Sequence, residues 1–186
     1  MDKKEMILRE AAKLFTEKGY YGLGLTELLG RCGIPKGSFY YYFPDGKIQL
    51  IQEVLIHSYR RMRSRIEEWM QEETSALSAF SHMADNLIHG VTNKRPLASL
   101  LMSMIAIESV YLDDQVNATC RWIYQDWQQF YAQQLERFGT PGQESRRRAQ
   151  VVFALIHGSL ISSWIKQDPA DLIMARESLQ DVFKEG

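Results

Sequence analysis

Cysteine is scarce in this chain. Cys32 and Cys120 are the only two in 186 residues, far apart and in no ligand-like spacing. Neither a disulfide framework nor a zinc site is indicated, and both thiols are expected to be reduced. Proline is thin at five residues and glycine stands at twelve, too few for long linkers or low-complexity segments. Long apolar runs are missing as well. The longest nearly uncharged stretch, residues 151–165, is interrupted by His157, Ser159, Ser162 and Ser163 and falls short of the ~20 residues that cross a bilayer. The opening Met-Asp-Lys-Lys-Glu has neither an apolar signal core nor a small-residue cleavage site. The expectation is a cytoplasmic protein without a membrane span.

What is present is the balance of a soluble globular protein, 45% hydrophobic and 24% charged. Such a chain can bury a core and does not fit disorder or a coiled-coil rod. Its length suits one good-sized domain or two small ones. A net charge of −1 argues at first against a nucleic-acid partner, but the distribution is uneven. Through Lys47 there are eight basic residues against six acidic ones, a balance of +2, and the total of −1 leaves −3 for the remainder. The segment from Leu28 to Pro44 contains Arg31 and Lys36 and no carboxylate. A small part of the surface is thereby suited to phosphates.

Helical periodicity dominates. Ile7, Leu8, Ala11, Leu14 and Phe15 recur at three- and four-residue steps up to a stop at Gly19. Two very short helices follow, Leu25–Cys32 and Gly37–Phe43, joined by Gly33-Ile34-Pro35-Lys36 in the manner of a helix-turn-helix. A long helix is expected over Lys47–Gln71, with Arg60, Arg61, Arg63 and Arg65 on its exposed face. Further helices are expected at Ser75–Val91, Leu97–Val110, Asp113–Phe138, Gln143–Lys166 and Pro169–Phe183, separated by breaks such as Lys94-Arg95-Pro96 and Gly139-Thr140-Pro141-Gly142. The fold class is therefore all-α, with about nine helices.

The wording Gly22-Leu23-Gly24-Leu25-Thr26-Glu27-Leu28-Leu29, followed by Cys32-Gly33-Ile34-Pro35-Lys36-Gly37-Ser38-Phe39-Tyr40-Tyr41-Tyr42-Phe43, resembles the N-terminal domain of TetR-family transcriptional regulators over roughly Lys4 to Leu50. The residues make physical sense in their own right. Gly33 permits a sharp turn, and Ile34 and Phe39 can plug a small core against Phe15, Leu28 and Leu29. Lys36, the Gly37 amide, Ser38 and the tyrosines then cluster at a helix N-terminus, where phosphate oxygens are favoured. Three consecutive tyrosines point about 100° apart, so one core cannot bury them all.

The resemblance implies Lys36, Gly37 and Ser38 at the groove of double-stranded DNA, Tyr40 and Tyr42 mainly on phosphates, and Tyr41 facing bases or backbone. It also implies a phosphate contact from Lys47. Two departures stand out. Gly24 occupies a cap position where the family often has Ser or Thr, which leaves Thr26 in the exposed first turn and able to reach DNA. The connection Phe43-Pro44-Asp45-Gly46-Lys47 is one residue longer than the family's. The expected division is a DNA-binding domain over residues 1–46 and a helical ligand-binding and dimerisation domain over residues 47–186.

In that second part, Met102, Met104, Ile107, Trp122, Trp127, Phe130 and Tyr131 are candidate contacts for a small apolar or aromatic effector, or simply core. The helix around His157 is apolar nearly all round, with Ala154, Gly158 and Ser162 at four-residue spacing. A homodimer through the last two helices is expected from it, the alternative being a helix central to the monomer, and His157 itself is read as a hydrogen-bonded core residue. His82 and His89 lack the partners of a metal site, Arg146-Arg147-Arg148 reads as the solvated start of a helix, and no nucleophile elbow, phosphate loop or carboxylate pair is present. No catalytic residue, metal or cofactor is expected. The function expected is a repressor that leaves a pseudo-palindromic operator when an effector binds. The alternatives are a helical enzyme and a ligand-binding module without DNA recognition.

Overall fold

The computed structural model describes residues 2–95, 98–111 and 113–184, and these form nine α-helices and no strand. In chain order they are α1 (Lys3–Gly22), α2 (Leu25–Cys32), α3 (Lys36–Tyr42), α4 (Gly46–Gln71), α5 (Ala76–Thr92), α6 (Ala98–Ser109), α7 (Asp114–Arg137), α8 (Gly142–Lys166) and α9 (Ala170–Phe183). The break expected at Pro96 and the helix start expected at Leu97 lie outside the described residues.

Local chemistry explains several of these boundaries. The Asp2 carboxylate accepts from the Lys4 amide at 3.3 Å, and Ser75 Oγ accepts from the Ser78 amide at 3.1 Å. Asp113 accepts from the Gln115 and Val116 amides at 2.8 and 3.1 Å, and so caps α7. Each satisfies donors that a helix start leaves open. Gly19 interrupts α1 with φ +69°, after which one more helical turn runs to Gly22. Gln167 ends α8 in the left-handed region.

The helices pack as two compact units, one of residues 1–62 with 98–123, the other of residues 63–97 with 124–186. The first is centred on α1, where Ile7, Ala11, Leu14 and Phe15 are buried together with Leu28, Phe39, Phe43 and the α4 residues Leu50, Ile51 and Val54. Leu29 and Ile34, expected in this core, are only half-buried. In the second unit, α5, α8 and α9 pack on one another. Arg176 of α9 forms a two-point ion pair with Asp85 of α5 at 2.6 and 3.1 Å. Its core is aromatic: Phe80, Trp127, Phe130 and Tyr131 are buried, and the Phe80 and Tyr131 rings meet edge to face at 5.2 Å.

One sequence expectation is corrected here. Arg63 is half-buried, not on an exposed face. It pairs with Asp126 at 2.8 Å and lies 5.0 Å from the centre of the Phe130 ring, which charge patterning along α4 alone cannot reveal. The three consecutive arginines lie in the first two turns of α8, where Arg146 and Arg147 are exposed as the solvated start of a helix should be, and Arg147 and Arg148 share Glu144 at 2.7 and 2.6 Å.

Candidate nucleic-acid interface

The second short helix is held at both ends by glycines that need positive φ. Gly33, at φ +63°, closes α2, with its amide donating to Gly30 O at 3.3 Å and the Ile34 amide to Leu29 O at 3.2 Å. Gly46, at φ +69°, follows the last turn of α3 and donates to Phe43 O at 2.9 Å. A side chain at either position would meet the left-handed penalty of about 1–2 kcal/mol. Between them, Phe39 and Phe43 point into the core with their rings 5.2 Å apart. They share one face of α3 because they are four residues apart.

The rest of α3 faces solvent. Tyr41 is 80% exposed and Tyr40 42% exposed, while Tyr42 is half-buried with its ring 5.1 Å from that of Tyr41. Lys36 and Gly37 are exposed, and Lys36 Nζ stands 5.9 Å from the centre of the Tyr40 ring. That contact places a cation on the aromatic face. Tyr40 is also fixed edge-on to Phe39 at 5.3 Å. Ser38 is half-buried and Thr26 is exposed in the first turn of α2. Lys47 is half-buried, and burial pushes its ammonium down from the ordinary lysine value. The longer connection is stitched to α4 through the Asp45 amide, which donates to Gln49 Oε1 at 3.1 Å. Donors, rings and cations thus share the solvent side of two short helices, an arrangement suited to a phosphate backbone and the groove between its strands.

Arg31 does not join that set. Its guanidinium is bound at two points to Glu17 of α1, at 3.3 and 2.8 Å, and reaches Glu27 at 3.0 Å. Glu27 in turn takes Lys18 at 2.7 Å. The carboxylate-free wording of residues 28–44 had suggested Arg31 as a cation for phosphates, but folding brings it two carboxylates from outside the segment. Hydrogen bonds from Arg31 to Glu17, and from Lys18 and Arg31 to Glu27, hold both carboxyls below their ordinary value.

The candidate effector contacts are spread. In the first unit Met102 is buried, Met104, Ile107 and Trp122 are exposed, and the Trp122 ring meets Tyr59 edge-on at 5.9 Å. In the second unit Trp127, Phe130 and Tyr131 are all buried. Trp127 meets His157 edge to face at 4.9 Å, and Phe153 stacks on the same imidazole at 4.0 Å. His157 was expected to be hydrogen-bonded, yet its buried Nδ1 has no partner. The rings of Tyr124, Trp127 and Phe153 surround it, and burial pushes the imidazole down to about 4. No signal in the sequence marks this atom. Among the described residues there is no group of three or more metal-ligating side chains. The helix α8 has the length and composition of a membrane span, but eight of its residues, from Ser145 to Ser163, are buried within the protein.

Comparison with known proteins agrees with this geometry. Residues 7–54 match the family model of bacterial regulatory proteins of the tetR family, and residues 76–178 match that of the C-terminal domain of LmrA/YxaF-like transcriptional regulators. The chain is 27% identical over 183 residues to the HTH-type transcriptional regulator LmrA of Bacillus subtilis, covering 98% of this chain and 97% of that one. Its fold is similar to reduced NemR of E. coli, with a TM-score of 0.84 at 22% identity over 97% of this chain and 96% of that chain. A putative TetR/AcrR-family regulator gives a TM-score of 0.80 at 27% identity, covering 98% of both chains. With a tetR-type helix-turn-helix at one end and an LmrA/YxaF-like body over more than half its length, the chain belongs to the TetR family of DNA-binding transcriptional regulators.

Proposed function

We propose that this protein is a cytoplasmic, non-enzymatic, dimeric repressor that leaves a pseudo-palindromic operator when a small apolar or aromatic effector binds. In this reading residues 1–46 contact DNA, through Thr26, Lys36, Gly37, Ser38, Tyr40, Tyr41 and Tyr42, joined by Lys47 at the start of the long helix α4. Residues 47–186 pair the subunits and take the effector. The observation that carries the reading is the outward presentation of Lys36, Tyr40 and Tyr41 from a helix whose opposite face is locked by Phe39 and Phe43.

Pairing is assigned to the last two helices. Val151 and Ile165 of α8 and Ile173 and Met174 of α9 are large apolar side chains left in water by the single chain, and such surface marks an association site. Candidate effector contacts are Met102, Met104, Ile107 and Trp122 in the first unit, and Trp127, Phe130 and Tyr131 in the second. The aromatic layer of the second unit is the stronger candidate, because it also holds the buried His157 Nδ1, which has no hydrogen-bond partner.

A gel-shift titration against duplex DNA adjacent to the protein's own gene tests the proposal. Wild type is expected to bind. Lys36→Ala is expected to weaken binding and reduce the slope of log affinity against log salt by about one. Tyr40→Ala should weaken binding with the dimer intact. Unchanged affinity in both variants overturns the assignment of the surface.

A further inference from the structure

The turn-helix that meets DNA has a weakly anchored first member. The helix α2 has eight residues, of which only Leu28 and Cys32 are buried, and its N-cap, Gly24, provides no side-chain hydrogen bond. Leu28 and Cys32 form a single i, i+4 row, and one row fixes the distance of a helix from its neighbour better than its rotation about its own axis. Glu27 and Arg31 form the adjacent i, i+4 row, about 100° round the helix. Both project to α1, where Arg31 holds Glu17 by two bonds and Glu27 holds Lys18. The four side chains make a closed ring: Glu17 and Lys18 are chain neighbours on α1, and Arg31 joins Glu27 across one turn of α2. Isolated exposed ion pairs contribute little, whereas two-point guanidinium pairs within a network are the exception.

Resting on the DNA-binding reading above, we propose that Arg31 is a positioning residue and not a phosphate contact: the Glu17–Arg31–Glu27–Lys18 ring sets the roll of α2 on α1. Through that roll it sets where Thr26 and the start of α3 meet the operator. Thr26 stands next to Glu27 and two residues before Leu28, so it lies about 160° from the buried row and moves widely when α2 turns. At the other end Arg31 is two residues from Gly33, the pivot into α3. The ring is electrically balanced, two cations with two anions. It therefore adds nothing to the counterion-release term of binding, and of the two cations in the segment from Leu28 to Pro44 it is Arg31 that is held by carboxylates, while Lys36 lies exposed over the Tyr40 ring.

The experiment uses the full chain and the duplex that wild type selects from a random-sequence pool. Binding is measured for Arg31→Glu, for Glu17→Arg and for the double swap, with melting temperature followed in parallel. Each single reversal is expected to weaken binding about tenfold, the scale of coupling within one ion network. The swap is expected to recover most of that loss, with a salt slope equal to wild type. Arg31→Gln, a milder change, is expected to keep the slope and to be non-additive with Thr26→Ala. A swap that stays as weak as Arg31→Glu while remaining folded, or a slope reduced by about one in Arg31→Gln, makes Arg31 a phosphate ligand and overturns the proposal. A wild-type chain that selects no duplex overturns the DNA-binding reading itself, and this proposal with it.

Discussion

Cys120 is buried, and burial pushes its thiol up against a small opposing effect from Ser109. Cys32 is shifted in the same direction by burial and by the nearby Glu10 carboxylate. The thiolate is the reactive form, so both cysteines are expected to resist a disulfide reagent at pH 7.5 in the native protein and to react fully in denaturant. Fast labelling of Cys120 would show that its site opens. His157 is governed by the same physics with the opposite sign. The native state keeps the imidazole neutral down to about 4, while an unfolded chain takes up a proton near the ordinary value of 6.5. Stability from this group is complete above about pH 6.5 and is lost as pH falls towards 4. Urea titrations at pH 7 and pH 5 are expected to show a larger loss for wild type than for His157→Phe, and equal losses would count against the shift. That at least one of the three tyrosines stands outside was legible, because three cannot share one face; that Tyr41 is the most exposed of them, at 80%, was not. The engagement of Arg31 was not, because its partner Glu17 lies fourteen residues away and comes near only when α2 folds back on α1.

Among the elements, the junction of α8 with α9 shows how a helix start is completed from another helix. Pro169 offers no side-chain cap to α9, and the Leu172 amide donates to Ser163 Oγ of α8 at 3.0 Å in a buried setting. Ser163→Ala is expected to cost about 1–2 kcal/mol, since a buried amide is left unpaired. Chemical denaturation with an unchanged m-value checks this, and a loss near zero would mean that another acceptor replaces the hydroxyl. Asp171 reinforces the junction by accepting from Ser162 and from Lys166. Helix boundaries were the easiest part to read from sequence: glycines, capping side chains and the change of apolar period mark them chemically. Harder to read was which face of a nearly all-apolar helix is covered. Along α8, Phe153 and His157 are buried while Val151 and Ile165 are exposed, and no local pattern separates them.

On the scale of the whole molecule, the proposed pairing makes a quantitative demand on the operator. Two copies of α3 in successive major grooves require half-sites about one turn, ~34 Å, apart. Footprinting should find two protected patches at that spacing, related by a two-fold axis. Ile165→Asp, at a position 76% exposed in the single chain, is expected to shift sedimentation towards monomer without lowering helix content. A variant that stays dimeric would move the interface elsewhere. For the effector, moving the population from nearly all bound to nearly all released requires a preference of roughly 5 kcal/mol between the two conformations, so a compound that binds both alike will not induce.

The seat of α3 separates two duties that many proteins load on the same side chains. Phe39 and Phe43 are buried, Gly33 and Gly46 supply the positive-φ turns at the two ends of the helix, and none of the four presents a side chain to solvent. Lys36 and Tyr41 are offered to solvent and neither side chain belongs to the core. Changes at the outward positions therefore meet little resistance from folding, and in the proposed reading the preferred operator can be altered at a few exposed sites.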